Sequence, residues 1–362
     1  MRNFAVKYVT SDRVNRQGKL KMLENMKIFL KLIMFYSSKN SLIIRYFTPL
    51  FFFLYLPHFG VESVISNRTF QPSLRIFINL PKEKNVNISV ISQGQNLSDI
   101  ENIAQFEEVI KYAKKQNLQT KSMEEIMQAI ADKFLGTPYQ AGLLDKSSEE
   151  KLIISLKGFD CVLFVETVLA ISQGIAVENY AYQTFVERIE NQRYSNGKLN
   201  GYCSRLHYFS EWIYENQKRG NVENITAKLG GISLNKKLNF MSKHRGSYPQ
   251  LINNDTNYQC IINQEAKLAE LNINYLPKNQ IKSLYSQLKP GDIVAIATDI
   301  EGLDVTHTGL VYRNADGNLG LIHASPIGEV TISYDLDRYI GRVKNAIGIM
   351  VARPIDPRKS IL

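Results

Sequence analysis

Cysteine is scarce in this chain, with three in 362 residues, and neither glycine (21) nor proline (11) is abundant. The first count excludes a disulfide-framed scaffold, and the others exclude collagen-like and proline-rich disordered chains. No internal repeat or low-complexity tract is visible. The longest apolar block, at 46–56, is short of the ~20 residues that a membrane span needs. What remains is 44% hydrophobic and 22% charged residues, enough to bury a core. At roughly 100–200 residues per domain, the length allows one large or two modest domains.

The formal net charge of +10 suggests a nucleic-acid partner until it is located. Residues 1–45 carry +8 of it and residues 64–362 only +3. The folded body is therefore nearly neutral, and no nucleic-acid partner is expected. The basic start runs into apolar blocks at 28–36 and 46–56, followed by small residues at Gly60, Ser63 and Ser66. That is the layout of a secretory signal. The basic region is too long for an ordinary one, which points to Met26 or Met34 as the start. Residues 1–63 are read as a targeting or mis-started segment and 64–120 as an N-terminal extension. The protein is expected to be exported, periplasmic or secreted, without a stable membrane span once mature. An uncleaved anchor is the alternative.

Helical periodicity begins near residue 98. Ser122 and Glu125 form a capping box before the apolar stripe Met123, Ile126, Met127, Ile130 and Phe134, with Gly136 as the stop. Further helical patterns fall near 161–173, 180–192, 206–218, 258–271 and 279–288. From Pro290-Gly291 onward the chain turns β-prone, with strands expected at 292–298, 307–313, 319–325 and 346–353. Helices first and an antiparallel sheet afterwards give an α+β fold with a helix laid on the sheet.

Asp160 is a good N-cap for the helix at 161–173, which places Cys161 in its first turn. The unpaired N–H groups and the positive dipole end there favour thiolate, although the Asp160 carboxylate opposes it. A cationic partner would decide the matter. His307 and His323 lie on neighbouring strands around Asn314-Ala315-Asp316-Gly317-Asn318. A two-residue turn at Asp316-Gly317 would put the imidazoles on opposite faces. A three-residue loop with left-handed Gly317 instead pairs His307 with Ser325 and His323 with Gly309, and both rings share a face. The three-residue loop is the expectation. His307 would then serve Cys161 as general base and His323 would orient it, with Gly309 leaving room for the cysteine helix. Metal binding through His307, His323, Asp304 and Cys161 is the rival chemistry. It lacks a standard zinc spacing, so no metal or cofactor is expected. Cys203 and Cys260 could pair after export, though their spacing does not require it.

Six stretches in order carry a family resemblance: Gly136–Tyr139, the GFDCVLFVE run at 158–166, Tyr202–Trp212, the GDIVAI run at 291–296, Gly302–Gly309 and Ile322–Ser325. Together they resemble the N-acetylmuramoyl-L-alanine amidase-like family of the NlpC-type papain-like superfamily, over residues 122–353. The resemblance implies a papain-like core at 121–355 with a helical insertion at about 178–288. It implies a bacterial cysteine amidase that cuts between N-acetylmuramic acid and L-alanine in peptidoglycan or muropeptides. Cys161 would be the nucleophile, His307 the base and His323 the third polar residue. Tyr139 would contribute to the oxyanion or substrate pocket, and Asp160, Arg205 and His207 are further candidates there. Leu163 departs from the expected threonine. Alternatives are a γ-D-glutamyl-diaminopimelate endopeptidase, an acyl transferase, and a non-catalytic peptidoglycan-binding module.

Overall fold

The computed structural model describes residues 97–360, so the basic start, both early apolar blocks, His58 and the stretch 64–96 lie outside the described residues. The described chain begins with helices α1 (Leu97–Lys115) and α2 (Met123–Asp132). Ser122 and Glu125 form the expected reciprocal capping box on α2, and Met123, Ile126, Met127 and Ile130 are its buried face. Phe134 is buried beyond the helix end, and Gly136 takes a left-handed φ of 79°. The extension expected over 64–120 requires correction in its last part. Phe106, Val109, Ile110 and Ala113 of α1 are buried in the main core, which makes α1 integral to the body.

Helix α3 (Cys161–Ala176) runs through the middle of that core, with every residue from Leu163 to Ala176 buried. A helix apolar on nearly all sides has to be enclosed, and α2 and the sheet enclose this one. Helices α4 (Tyr182–Arg193) and α5 (Phe209–Lys218) follow, then strands β1 (Val222–Asn224) and β2 (Ile232–Ser233), helix α6 (Asp255–Leu268) and strand β3 (Asn274–Pro277). The C-terminal part supplies β4 (Ile293–Thr298), β5 (Val305–Arg313), β6 (Leu319–Ala324), β7 (Val330–Ser333), α7 (Leu336–Arg342) and β8 (Ala346–Pro354). All strand pairings are antiparallel, in the order β2-β3-β8-β4-β5-β6-β7, with β1 also on β8. The fold is mixed α and β around an antiparallel sheet, as expected.

The sheet is covered on both sides. Ile293, Ala295, Leu310, Ile322 and Met350 join the core that contains α3. Their alternating neighbours Val294, Val311, Leu321, Ile349 and Val351 join a second core with Ile281 and with Leu336 and Ile340 of α7. Double coverage explains why these strands read as continuous apolar runs rather than alternating ones. Three short strands, β1 to β3, were not visible in the sequence and lie within the stretch read as a helical insertion. The expected helix at 279–288 is a 3-10 turn over Lys278–Leu284. The insertion has its own small core of Tyr202, Tyr208, Phe240, Met241, Leu251 and Ile261. It is cross-linked by a Cys203–Cys260 disulfide, which closes a long loop and in the chain-entropy model stabilises by about 4 kcal/mol. No helix among the described residues is long and apolar enough to cross a membrane.

The β5–β6 hairpin has the three-residue loop. Leu310 pairs with Ile322 and Arg313 with Leu319, Asn314 N–H donates to the Asn318 carbonyl, and Gly317 has φ 84°. Nothing lies within 4 Å of a Cβ built on Gly317, so only its backbone conformation demands glycine. Gly317→Val should therefore lower stability by about 1–3 kcal/mol, and Gly317→Asn by much less, because Asn tolerates left-handed φ. Urea unfolding of the two variants checks this, and equal losses would contradict it.

Candidate active site

Cys161 is positioned from both sides. Asp160 is fully buried, and its Oδ1 accepts from the backbone N–H groups of Val162 (3.0 Å) and Leu163 (2.9 Å), holding the first turn of α3. Ahead of it, Phe159 bridges Tyr139 in parallel, so the Gly136–Tyr139 stretch lies beside the cysteine. From the sheet, the Thr308 hydroxyl donates to the Cys161 carbonyl at 2.9 Å. The cysteine keeps its thiol and is half-buried.

The two imidazoles meet as the hairpin register requires. His307 Nε2 and His323 Nδ1 are 2.7 Å apart, with the rings nearly perpendicular at 85°. The register alone does not aim His307. Ile296 of β4 pairs with His307 and Ala297 pairs with Val305, which leaves Thr306 as an extra residue in a β-bulge. The bulge breaks the alternation, so Val305 packs into the α3 core while His307 pairs with Ile296 of the second core. Gly309 matters for a reason other than the one expected. A Cβ there would lie 2.9 Å from both the His323 Cβ and the Ile322 carbonyl oxygen, so the missing side chain makes room for His323 and not for the cysteine helix.

Both imidazoles are kept neutral. His307 is 7% exposed and His323 only 1%. Burial pushes His307 well below its ordinary value, with a smaller contribution from His323, and burial pushes His323 down to about 4. Two neighbours were missed in the sequence. Ser333 Oγ on β7 lies 3.3 Å from His323 Nε2, and the Tyr339 ring on α7 lies 4.8 Å from the His323 ring. Burial, and secondarily the nearby Cys161, pushes the Tyr339 phenol up. The signal for α7 was present in Asp335, which caps it by accepting from Arg338 N–H at 2.9 Å.

Cys161 and His307 open into one cleft lined also by Tyr139, His207, Trp212 and Thr306. Of the remaining candidates, His207 belongs to this cleft, whereas Arg205 and Asp160 need correction. Arg205 is 7% exposed, bonds Asp145 at 2.9 Å, and lies 3.6 Å from Glu150. Its charge is neutralised inside the protein, so it offers substrate no exposed cation. Asp160 is a helix cap. His207 is half-buried, and desolvation and then Arg205 hold it well below its ordinary value. Its Nε2 lies 3.0 Å from the Tyr202 carbonyl. Asp304, once weighed as a metal ligand, accepts from the backbone and hydroxyl of Ser210 and from Val305 N–H. Among the described residues, no group of three or more His, Cys, Asp or Glu could hold a metal ion.

The family model described as N-acetylmuramoyl-L-alanine amidase-like matches residues 129–349. The chain belongs to this family. Among solved structures, an N-acetylmuramoyl-L-alanine amidase from Bacteroides uniformis is 32% identical with a TM-score of 0.60, over 64% of this chain and 98% of that one. A Bacteroides fragilis protein provisionally named a xylanase is 34% identical with a TM-score of 0.55, over 62% of this chain and 98% of that one. A Legionella pneumophila protein shares the fold at 23% identity and a TM-score of 0.53, over 72% and 97%. No curated protein matches. The family match begins inside α2 and ends in β8, so it takes in the cysteine helix, both histidine strands and the insertion.

The neutral imidazoles of this amidase-like chain link acidity to stability. Below about pH 6.5 the unfolded chain takes up a proton at His323 that the native state refuses until about pH 4. Stability from this group is thus complete above 6.5 and falls, by on the order of 3 kcal/mol, as pH drops towards 4. Urea unfolding at pH 7.5 and 4.5 should show a smaller acid loss in His323→Gln than in the parent. Equal losses would contradict the assignment.

Proposed function

We propose that the protein is a cysteine amidase with a papain-like, NlpC-type core that hydrolyses the N-acetylmuramoyl–L-alanine bond of peptidoglycan or its fragments. The observation that carries this reading is one cleft holding a helix-start thiol and a buried imidazole whose other nitrogen is bonded to a second imidazole. His323 occupies Nε2 of His307, which leaves His307 Nδ1 to take the thiol proton. The dipole of α3 favours the resulting thiolate. Sulfur attacks the lactyl carbonyl carbon. Donors at the helix start, with Tyr139 on the cleft wall, steady the oxyanion. Imidazolium His307 gives its proton to the leaving L-alanine nitrogen, and the C–N bond breaks to leave a thioester. Water, deprotonated by His307, then releases the muramoyl acid and restores the thiol.

Amide chemistry is favoured over glycoside cleavage by the lining itself. Most glycosidases flank the scissile bond with two carboxylates, and among the described residues no Asp or Glu lines the cleft at Cys161. Tyr139, half-buried on the cleft wall, offers aromatic surface suited to a sugar or lactyl group. Digestion of muropeptides should release free L-alanine amine, and Cys161→Ala should abolish the release while unfolding at a similar urea concentration. A new diaminopimelate amine would instead make the protein an endopeptidase, and undiminished release by Cys161→Ala would remove the cysteine from the mechanism.

We also propose that the protein works outside the cytoplasm, in the periplasm or secreted. The Cys203–Cys260 disulfide supports this, because such bonds persist in oxidising compartments. N-terminal sequencing of the exported protein should find its first residue after the 46–56 block, near Gly60 to Ser66. A mature terminus upstream of Tyr46 would refute cleavage there.

A further inference from the structure

We infer that Ser333 is a positioning residue that sets the tautomer of both imidazoles by accepting a hydrogen bond from His323 Nε2–H. The inference rests on His307 being the base. Ser333 pairs with Leu321 in the β6–β7 ladder, so its side chain shares a sheet face with His323 two residues along. The three groups form a chain, with His307 Nε2 2.7 Å from His323 Nδ1 and His323 Nε2 3.3 Å from Ser333 Oγ.

A neutral imidazole carries one N–H, so this chain has two self-consistent proton arrangements. In the first, His307 Nε2–H donates to His323 Nδ1 and His323 Nε2–H donates to Ser333 Oγ. His307 Nδ1 is then bare and able to accept a proton. In the second, Ser333 donates to His323 Nε2, His323 Nδ1–H donates to His307 Nε2, and His307 carries its proton on Nδ1. That arrangement blocks the base. One hydroxyl, acting as acceptor, thus selects the competent state, and His323 relays the selection over two hydrogen bonds. At 1% exposure His323 has little water to take the place of Ser333. A similar division of labour is general for catalytic histidines, whose reactive nitrogen is set by the partner of the other one.

The test is the 15N spectrum of the imidazoles near neutral pH, with signals assigned by His323→Gln, together with turnover of muropeptides. The parent should show His323 protonated at Nε2 and His307 bare at Nδ1. Ser333→Ala should mix the two tautomers and lower kcat about five-fold at unchanged KM, the factor that corresponds to losing a hydrogen bond of about 1 kcal/mol. Ser333→Thr keeps the hydroxyl and should restore both readouts. His323 protonated at Nδ1 in the parent, or tautomers unchanged in Ser333→Ala, would overturn the inference. The spectrum does not depend on turnover, so an inactive parent would count against the proposed function while the tautomers still judge Ser333.

Discussion

The site rests on a hydrogen bond between two imidazoles that water scarcely reaches. Two histidines sixteen positions apart meet only if the intervening hairpin takes one register, because a one-residue slip would turn one ring to the other face. Gly317 in its left-handed turn sets that register, and the absence of a side chain at Gly309 lets His323 sit against β5. The bulge at Thr306 then puts Val305 in the α3 core and His307 on the face of the second core, with His323. Burial holds both rings neutral. Moving either ring by a residue would break the imidazole pair while leaving most of the fold's apolar contacts in place.

The thiol is held just as firmly by unrelated means. Helix α3 is surrounded by core, and its one deeply buried charge, Glu166, is bonded to Arg193 at 2.8 Å and to the Trp212 indole N–H at 3.2 Å. An unpaired carboxylate there would be costly, so these contacts tie α4 and α5 to the cysteine helix. Asp160 fixes the first turn and Thr308 fixes the Cys161 carbonyl. Thiol and imidazoles thus come from separate layers, helix and sheet, and each is set by contacts within and between those layers.

How legible this was depended on the range of the interactions involved. The capping box on α2, the Asp160 cap, and the loop at Gly317 are local, and the sequence shows them directly. The pairing of His307 with His323 followed from counting residues across that loop. What escaped was decided at a distance. Short strands β1 to β3 have too few residues for a periodicity and exist because they add to the edge of β8 or to each other. The bulge at Thr306 depends on β4. Ser333 and Tyr339 reach the imidazoles through β7 and α7, elements that sequence reading did not mark. Arg205 looked like a substrate cation because its partners Asp145 and Glu150 lie some sixty residues away.

The stretch over 178–288 forms a wall of the site. It supplies Leu206, His207, Phe209 and Trp212 to the cleft, while Cys203–Cys260 and the bond from Tyr208 to Glu265 (2.7 Å) tie that wall to α6. Arg205, next but one to His207, is paired with Asp145, and desolvation keeps His207 neutral. Among the described residues, no Lys, Arg, Asp or Glu lines the cleft beside Cys161. Charge that develops between sulfur and imidazole meets no competing ion there, and in such an enclosed place it interacts far more strongly than it would in water. In the proposed reaction an uncharged wall beside Cys161 leaves the helix dipole and the imidazole pair to act on the developing charge.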